Sequence, residues 1–413
     1  LATAAPFDWR RELSVDEKGK ARPILANAIA ALRWSPDWYG VLAWDAFASR
    51  SVARRPAPWG FTGAWDDQAD RRTCEWIQKN GILVRVIEAG QAVQTVAKDE
   101  EVHQVREYLD ALKWDGIARI DDWLTLYCGA EPSDLTRAVG ARWLISGVAR
   151  IYQPGCKADC VLVMEGPQGR GKSSALCILG GDWFSDDVAS LDSKDAAIGL
   201  RGRWIVEFSE LDSLSRSAAS RIKAFISRGE DHIRLPYDKH CSVLPRECIF
   251  GGTVNHSEYL RDETGNRRFW PVSCGVINLE FLRRDRDQLW AEAVARYCGG
   301  AKWWLDTEEL NRDAEDEQDA HFLPDSWETI IARWLEARVK NEEVPDTAIA
   351  DVLSGPLDKP RGTWTRGDTI RVGAILKRLG WKTYRPRQSG TVENDEGRKR
   401  PRLYSPPPKG SVQ

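Results

Sequence analysis

Residues Glu165–Ala175 read EGPQGRGKSSA, and the reading of this stretch decides the fold. Within it, Gly166 to Ser173 follow the pattern G-x-x-x-x-G-K-S. The run CVLVM ahead of it is continuously apolar, as suits a strand buried on both faces, and KSSALCIL behind it begins a helix. Strand, glycine-rich turn and helix are the setting in which this spacing builds a phosphate-binding loop. The glycines let backbone N–H groups turn toward phosphate oxygens, and the helix adds the positive end of its dipole. Gly166, Pro167, Gln168, Gly169, Arg170, Gly171, Lys172, Ser173 and Ser174 are therefore the expected nucleotide cradle. Lys172 is expected on the β- and γ-phosphates and the Ser173 hydroxyl on a metal, so that the expected cofactors are ATP and Mg²⁺.

Downstream of the loop, RWIVEF, CIFGGTV and RRFWPV are further strand candidates, and SAASRIKAFIS is a helix between two of them. Such alternation predicts a mostly parallel α/β sheet. In WIVEFSEL, Glu207 and Glu210 close an apolar run. One of them is expected at the strand's C-terminal edge beside the loop, holding hydrated Mg²⁺ or polarising the attacking water. Asn255 ends FGGTVN, where a polar side chain can reach the γ-phosphate or that water. GNRRFWPV then offers Arg267 and Arg268: one to stabilise transition-state charge, including from a neighbouring subunit, the other a structural ion-pair partner.

At 413 residues the chain is long enough for two or three cores. No apolar run approaches the roughly 20 residues that a membrane span needs, so no membrane insertion is expected. The formal net charge of -3 averages two opposed regions. From Asp306 to Glu328 ten acidic residues face one arginine, whereas from Arg361 to Gln413 thirteen Lys or Arg face four Asp or Glu. A basic tail of this kind points to a polyanion partner or, more blandly, to a solvated charged face. The nine cysteines lack CxxC pairing, which suggests reduced thiols in a cytoplasm. No signal or transit segment is visible, and a chain that starts at Leu1 with Met164 as its sole methionine reads as a piece of something longer.

The expected organisation is a small mixed domain over 1–100, a helical region over 101–155, the ATPase core over 156–300, an acidic linker over 301–324 and a basic domain over 325–413. In the first domain Ile24, Ile29 and Leu32 fit one helical face before Pro36. In the second, Val105, Leu109 and Leu112 mark one helix, and a second runs from about Asp134 to Tyr152. In the last, DTIRVGAILKRLGW reads as a helix with Asp368 at its start and Gly380 at its end. Ile370, Ile375 and Leu379 are expected inward and Arg371, Lys377 and Arg378 outward, with a β-ribbon following.

The order GPQGRGKSS, LRGRWIVEFSEL, IKAFISRGEDHIRLPYDKHCSVLPR, GTVN and GNRRFWPV resembles the virulence-associated protein E family, a branch of phage and plasmid superfamily three helicases. REYLDALKWDGIARIDDWL and PGCKAD also look like that family, so that the resemblance covers about residues 100 to 300. It implies an AAA+ P-loop ATPase, commonly a hexameric ring around DNA. Carried over, Lys172 and Ser173 match the Walker A positions and Asn255 the motif C asparagine. The register of the related helicases places the Walker B acid, and with it the metal, at Glu210 rather than Glu207, and favours Arg268 over Arg267 as the finger. The segment before Asn255 resembles a hairpin that projects into the ring channel, with Lys239 and His240 near its tip and Lys223 and Arg234 flanking it as DNA contacts. The C-terminal unit resembles a winged helix, with subunit docking as the alternative role.

The expected function is an ATP-dependent ring-forming DNA helicase of phage or mobile-element replication, located in the bacterial cytoplasm, with a primase upstream or in trans. The alternative is a nucleic-acid-binding ATP switch that melts or marks an origin without processive unwinding. Asn255, the arginine pair and the hairpin together argue against a small-molecule kinase.

Overall fold

The computed structural model describes residues 8–187, 194–209, 211, 216–233, 241–255, 266–321, 325–340, 346–384 and 403–405. The chain divides into two compact units, Leu1–His321 and Phe322–Gln413.

The first unit opens with α1 (Leu25–Trp34), which stops at Ser35 just ahead of Pro36. Asn27, Ala28, Ala31 and Leu32 are its buried residues, while Ile24 is 40% exposed. Ile24 is the N-cap, so the helical period that was expected to turn it inward does not apply to it. Strands β1 (Leu42–Asp45), β2 (Arg50–Ala53), β3 (Gly63–Ala64) and, beyond helices α2 (Asp67–Lys79) and α3 (Val86–Ala97), β4 (Glu101–Val102) form a sheet in the order β3-β2-β1-β4. Trp9, Trp38, Ile77 and Val93 help fill the core beneath it.

Helices α4 (Gln104–Ala111), α5 (Trp123–Cys128) and α6 (Asp134–Tyr152) follow. Val105 and Leu109 are buried as their spacing predicts. Ser133 caps α6 by accepting from the Thr136 N–H, and α6 is buried on nearly every side. Its place is fixed by indoles that pair with backbone: Trp143 Nε1 donates to the Phe250 carbonyl at 2.8 Å, and Trp204 Nε1 to the Gly147 carbonyl at 2.9 Å. Buried N–H groups need such partners, so these tryptophans set register as well as supplying apolar area.

The central sheet contains β5 (Val161–Glu165), β6 (Phe184–Ser185), β7 (Ile205–Phe208), β10 (Ile249–Val254) and β11 (Phe269–Ser273), in the order β11-β5-β10-β7-β6. Every pairing in it is parallel. Helices α7 (Lys172–Gly180), α8 (Lys194–Gly199), α9 (Arg216–Ile226) and α10 (Leu279–Cys298) accompany it, and the antiparallel hairpin β8 (Glu230–Ile233) and β9 (Ser242–Pro245) stands between α9 and β10. The mixed α/β class with a parallel sheet is thus as expected. Gly251 explains the small residues in FGGTV: a Cβ there would meet Leu176 of α7 at 2.8 Å.

The acidic stretch holds a helix where the sequence suggests a linker. Helix α11 (Glu308–Ala320) packs Ala314 inward, and Gln318 Nε2 donates to the Phe269 carbonyl at 2.9 Å. Glu308, Glu309, Asp313, Glu315 and Asp316 are exposed on its solvated face, which charge counting alone cannot tell from a linker.

In the second unit, α12 (Ser326–Lys340), β12 (Thr347–Ala348), α13 (Ile349–Ser354), α14 (Arg366–Arg378), β13 (Lys382–Tyr384) and β14 (Leu403–Ser405) form a small helical layer with a sheet in the order β12-β14-β13. Thr365 is the N-cap of α14, and Asp368 closes its capping box from the third helical position. Val372, Ile375 and Leu376 face the core. Ile370, expected inward, is 63% exposed, and Arg371, expected outward, makes two bonds of 2.6 and 2.7 Å to the Asp325 carboxylate. Both follow from a helix that begins at Arg366 and turns its buried stripe through Val372 and Leu376. Among the described residues no helix is long and apolar enough to cross a membrane.

Candidate functional site

The turn after β5 reverses the chain because Gly166, Gly169 and Gly171 have φ of 139°, 80° and 90°, a region that L side chains rarely adopt. At Gly171 a Cβ would also press on Leu279 at 3.2 Å. Helix α7 then starts at Lys172, directing its first N–H groups toward the turn. Gln168 to Ser174, together with Ser209, Thr253 and Asn255, line a cavity of about 290 Å³ at the C-terminal end of the sheet.

Lys172 is buried, and its Nζ donates to the carbonyls of Gly166 at 2.5 Å and Pro167 at 3.0 Å and to Asn255 Oδ1 at 3.4 Å. The loop lysine and the residue at the end of β10 therefore meet. Ser173 Oγ donates to Glu207 Oε1 at 2.7 Å, and Thr253 Oγ1 donates to the same oxygen at 2.7 Å. Glu207 is fully buried, and its second oxygen, Oε2, has no hydrogen-bond partner among the described residues. A buried carboxylate oxygen left open beside a hydroxyl is a donor set suited to a hard cation that keeps much of its water. Glu207 is thus the acid that the sheet brings to Ser173, while Glu210 lies outside the described residues. Thr253 was not singled out in the sequence; period-2 alternation from Asn255 would have found it, since both residues project from the same face of β10.

The arginine pair lies elsewhere. Phe269 is level with Val161 and Ser273 with Glu165, so Arg267 and Arg268 stand at the opposite end of the sheet from the glycine turn. Four residues of strand separate the two levels, roughly 13 Å at about 3.3 Å per residue. Arg268 Nε donates to Ser227 Oγ at 2.8 Å and lies 3.5 Å from Asp159, while Arg267 is exposed.

The hairpin is anchored at its base. Arg246 and Asp231, both buried, form a two-bond ion pair of 2.6 and 2.8 Å, and the Arg246 guanidinium also bonds the Phe225 carbonyl. Lys223, expected to flank the hairpin as a DNA contact, is instead buried, with its ammonium 5.8 Å from the centre of the Phe269 ring. It falls on the face of α9 that covers the sheet, beside Ile222 and Ile226, and its aliphatic stem suits that place. Arg234, Lys239 and His240 lie outside the described residues.

One further ionisable pair adjoins the loop. Glu165, the last residue of β5, accepts from His321 Nε2 at 2.8 Å and from Ser273 Oγ at 3.2 Å. Burial alone pulls the imidazole pKa down, but its bonds to Glu165 and to the Glu317 carbonyl, with the charges of both carboxylates, outweigh this and leave it raised. All nine cysteines are free thiols, and burial pushes Cys274, beside the loop, up to about 12.

No curated protein matches this chain. Among solved structures, the apo structure of the NrS-1 C-terminal region is 14% identical, with a TM-score of 0.47, covering 88% of this chain and 95% of that one. The A form apo structure of the same region is 13% identical with the same TM-score of 0.47, covering 89% and 96%. The virulence-associated protein E-like domain matches residues 109–322, which span β5, the glycine turn, Glu207, Asn255, the arginine pair and α11. As this is just over half of the sequence, the chain belongs to the virulence-associated protein E-like domain family.

Proposed function

We propose that the chain is an ATP-hydrolysing, ring-forming DNA helicase of phage or mobile-element replication. The observation that carries this reading is the convergence of Lys172, Ser173 and Asn255 on one cavity at the C-terminal end of a parallel sheet, with the buried Glu207 bonded to Ser173. In a P-loop ATPase this is where phosphate sits.

In this reading the N–H groups of the glycine turn and of the start of α7 bind the phosphates, and Lys172 exchanges its bonds to Gly166 and Pro167 for phosphate oxygens. Mg²⁺, when bound, neutralises charge that develops on the phosphates. Ser173 Oγ and Glu207 fit it, because Glu207 already points one oxygen at Ser173 and keeps the other open. Glu207 and Asn255 then orient the attacking water. Thr253 fixes the Glu207 rotamer, so the carboxylate needs little reorganisation when phosphate arrives.

The arginine geometry supports action in trans. An arginine roughly 13 Å down the strand from its own loop cannot reach its own γ-phosphate, but it can serve the site of a neighbouring copy. In the single chain Arg268 is engaged by Ser227 and Asp159, and Arg267 is the exposed member. Both are carried forward as finger candidates. The hairpin, rooted by Arg246 and Asp231, is a stiff support for a tip that grips the DNA backbone through Lys239, His240 and Arg234.

The second unit supports a winged-helix reading through its order of α12, β12, α13, α14 and the β13/β14 ribbon. Arg371 and Arg378 are engaged by Asp325 and Glu328, so that in this reading the DNA-facing charge falls to Arg361, Arg366, Lys377 and Lys382 and to the basic sequence from Arg385 to Arg402. A primase domain, upstream or in trans, would complete the replication role.

The test is a forked-duplex unwinding assay with both tail polarities, with particle mass measured with and without ATP. ATP-dependent strand separation by a multimer is the expected result. Nucleotide-dependent DNA binding with no strand separation would replace the motor with an origin-marking switch.

A further inference from the structure

Helix α11 and the residue that follows it contact two neighbouring strands, β11 and β5. Gln318 donates to the Phe269 carbonyl at 2.9 Å, at the start of β11 and directly after Arg268. One turn later, His321 Nε2 meets Glu165 Oε2 at 2.8 Å, level with the far end of the same strand at Ser273. Glu165 immediately precedes Gly166, so whatever holds its carboxylate holds the first hinge of the glycine turn.

Glu165, His321 and Ser273 form a polar cluster in which the carboxylate and the imidazole are buried. Glu165 is 2% exposed and His321 6%. Ser273 Oγ donates to the same Glu165 oxygen at 3.2 Å. Both ring nitrogens of His321 face acceptors, since Nδ1 lies 2.6 Å from the Glu317 carbonyl. A ring with two acceptors is fully satisfied only when both nitrogens carry protons, and such a ring binds a carboxylate as an ion pair with hydrogen-bond direction. A buried charge pair of this kind adds little net stability but fixes geometry strongly. No role proposed above for the cavity residues uses it.

We propose that His321 is a positioning residue for the phosphate loop: through Glu165 it locks the entry to the glycine turn to α11, which also holds the root of the arginine pair. The latch rests on the ATPase reading of the loop. It ties the entry of the loop to the C-terminal end of α11, the last helix of the first unit. Phosphate binding at one end of β11 and the setting of Arg267 and Arg268 at the other are then coupled through a single helix.

The experiment uses the full chain and compares wild type with His321→Ala, His321→Gln, Glu165→Gln and Ala314→Gly. Ala314→Gly loosens the same helix at a buried position without touching the latch. For each protein, binding of a fluorescent ATP analogue, KM and kcat for ATP, and Tm are measured. The latch predicts that His321→Ala weakens nucleotide binding and raises KM roughly tenfold, the factor expected from losing one hydrogen bond to a charged group. His321→Gln, which keeps an N–H donor toward Glu165, restores most of this. Glu165→Gln, isosteric and able to fold, shifts KM in the same direction as His321→Ala. Ala314→Gly lowers Tm and leaves KM at the wild-type value. Equal KM shifts in His321→Ala and Ala314→Gly, or a wild-type KM in both His321→Ala and Glu165→Gln, overturn the latch alone, provided that Lys172→Ala abolishes binding. A wild-type protein that binds no nucleotide overturns both the latch and the ATPase reading.

Discussion

The two ends of the central sheet differ in what they gather. At the C-terminal end, a turn shaped by glycines gathers Lys172, Ser173 and Asn255 around a cavity, where Lys172 bonds Asn255 and Ser173 bonds the buried Glu207. At the N-terminal end, Arg268 is held by Ser227 and lies beside Asp159, and Arg267 is exposed. A parallel sheet forces this separation. All its strands finish on one side, so a residue that opens β11 cannot share a site with the turn that closes β5. In the proposed reading a single copy holds a phosphate site and a cationic group that cannot serve each other, and both become useful when one copy's N-terminal end meets another's C-terminal end.

The sharpest way to break this comparison is to silence the C-terminal end. Lys172→Ala is expected to reduce ATP hydrolysis below detection while retaining the fold, because the ammonium serves loop carbonyls and phosphate rather than apolar packing. Hydrolysis at the wild-type rate, measured by phosphate release, would remove the loop from the mechanism.

Silencing the other end should cost about 10³-fold or more in kcat with nucleotide binding largely kept, since a finger acts on transition-state charge. Arg267→Ala and Arg268→Ala made singly identify which arginine acts. Mixed with Lys172→Ala protein, the inactive finger variant should recover part of its ATPase, because some interfaces then combine one intact loop with one intact arginine. No recovery in rings shown to be mixed would place the arginine's action within its own subunit.

Glu207→Gln tests the acid bonded to Ser173. It keeps the shape and the acceptor oxygen for Ser173 and Thr253, and is expected to lower kcat by about 10²-fold or more with ATP still bound. Activity close to wild type would shift the role to Glu210.

In the proposed motor the DNA-facing parts act downstream of both ends. Lys239→Ala with His240→Ala is expected to leave DNA-free ATPase in place, to reduce the salt slope of single-strand binding by about one unit per lost phosphate contact, and to cut unwinding. A stable double variant that unwinds forks at the wild-type rate would detach the hairpin from the motor.

The smallest effect is on stability and follows from the buried imidazole. His321 is raised above its ordinary value of 6.5. Its bonds to Glu165 and Glu317 therefore contribute fully below about pH 6.5, and the contribution is lost as pH rises through the folded-state value. The Tm difference between wild type and His321→Leu, which lacks the charge, should be greatest near pH 6, a matter of a few degrees, and narrow toward pH 9. A gap that stays constant over this range would mean that the ring is not charged in the folded protein.

Helix α6 and the four longer core strands were legible in the sequence, because long periodic segments and continuous apolar runs carry a local signal. Helix α6 begins and ends at the expected residues, Asp134 and Tyr152. The glycine turn was legible for the same reason, as its φ values demand residues that can be read directly. Helix α11 was not legible as part of the first unit, since its strongest feature, acidity, belongs to the solvated face, and only Ala314, Gln318 and His321 reveal the packed one. Lys223 misled because charge suggests solvent, whereas its long stem lies among Ile222, Ile226 and Phe269.

By itself the sequence determined that a parallel α/β sheet would carry a strand, a glycine turn and a helix, with a basic tail beyond an acidic stretch, because these depend on near neighbours and composition. Which glutamate faces Ser173, which arginine is already engaged, and that His321 reaches Glu165 were decided only by tertiary structure. Each joins residues far apart in the chain, and strand order and register alone bring such residues within hydrogen-bonding distance.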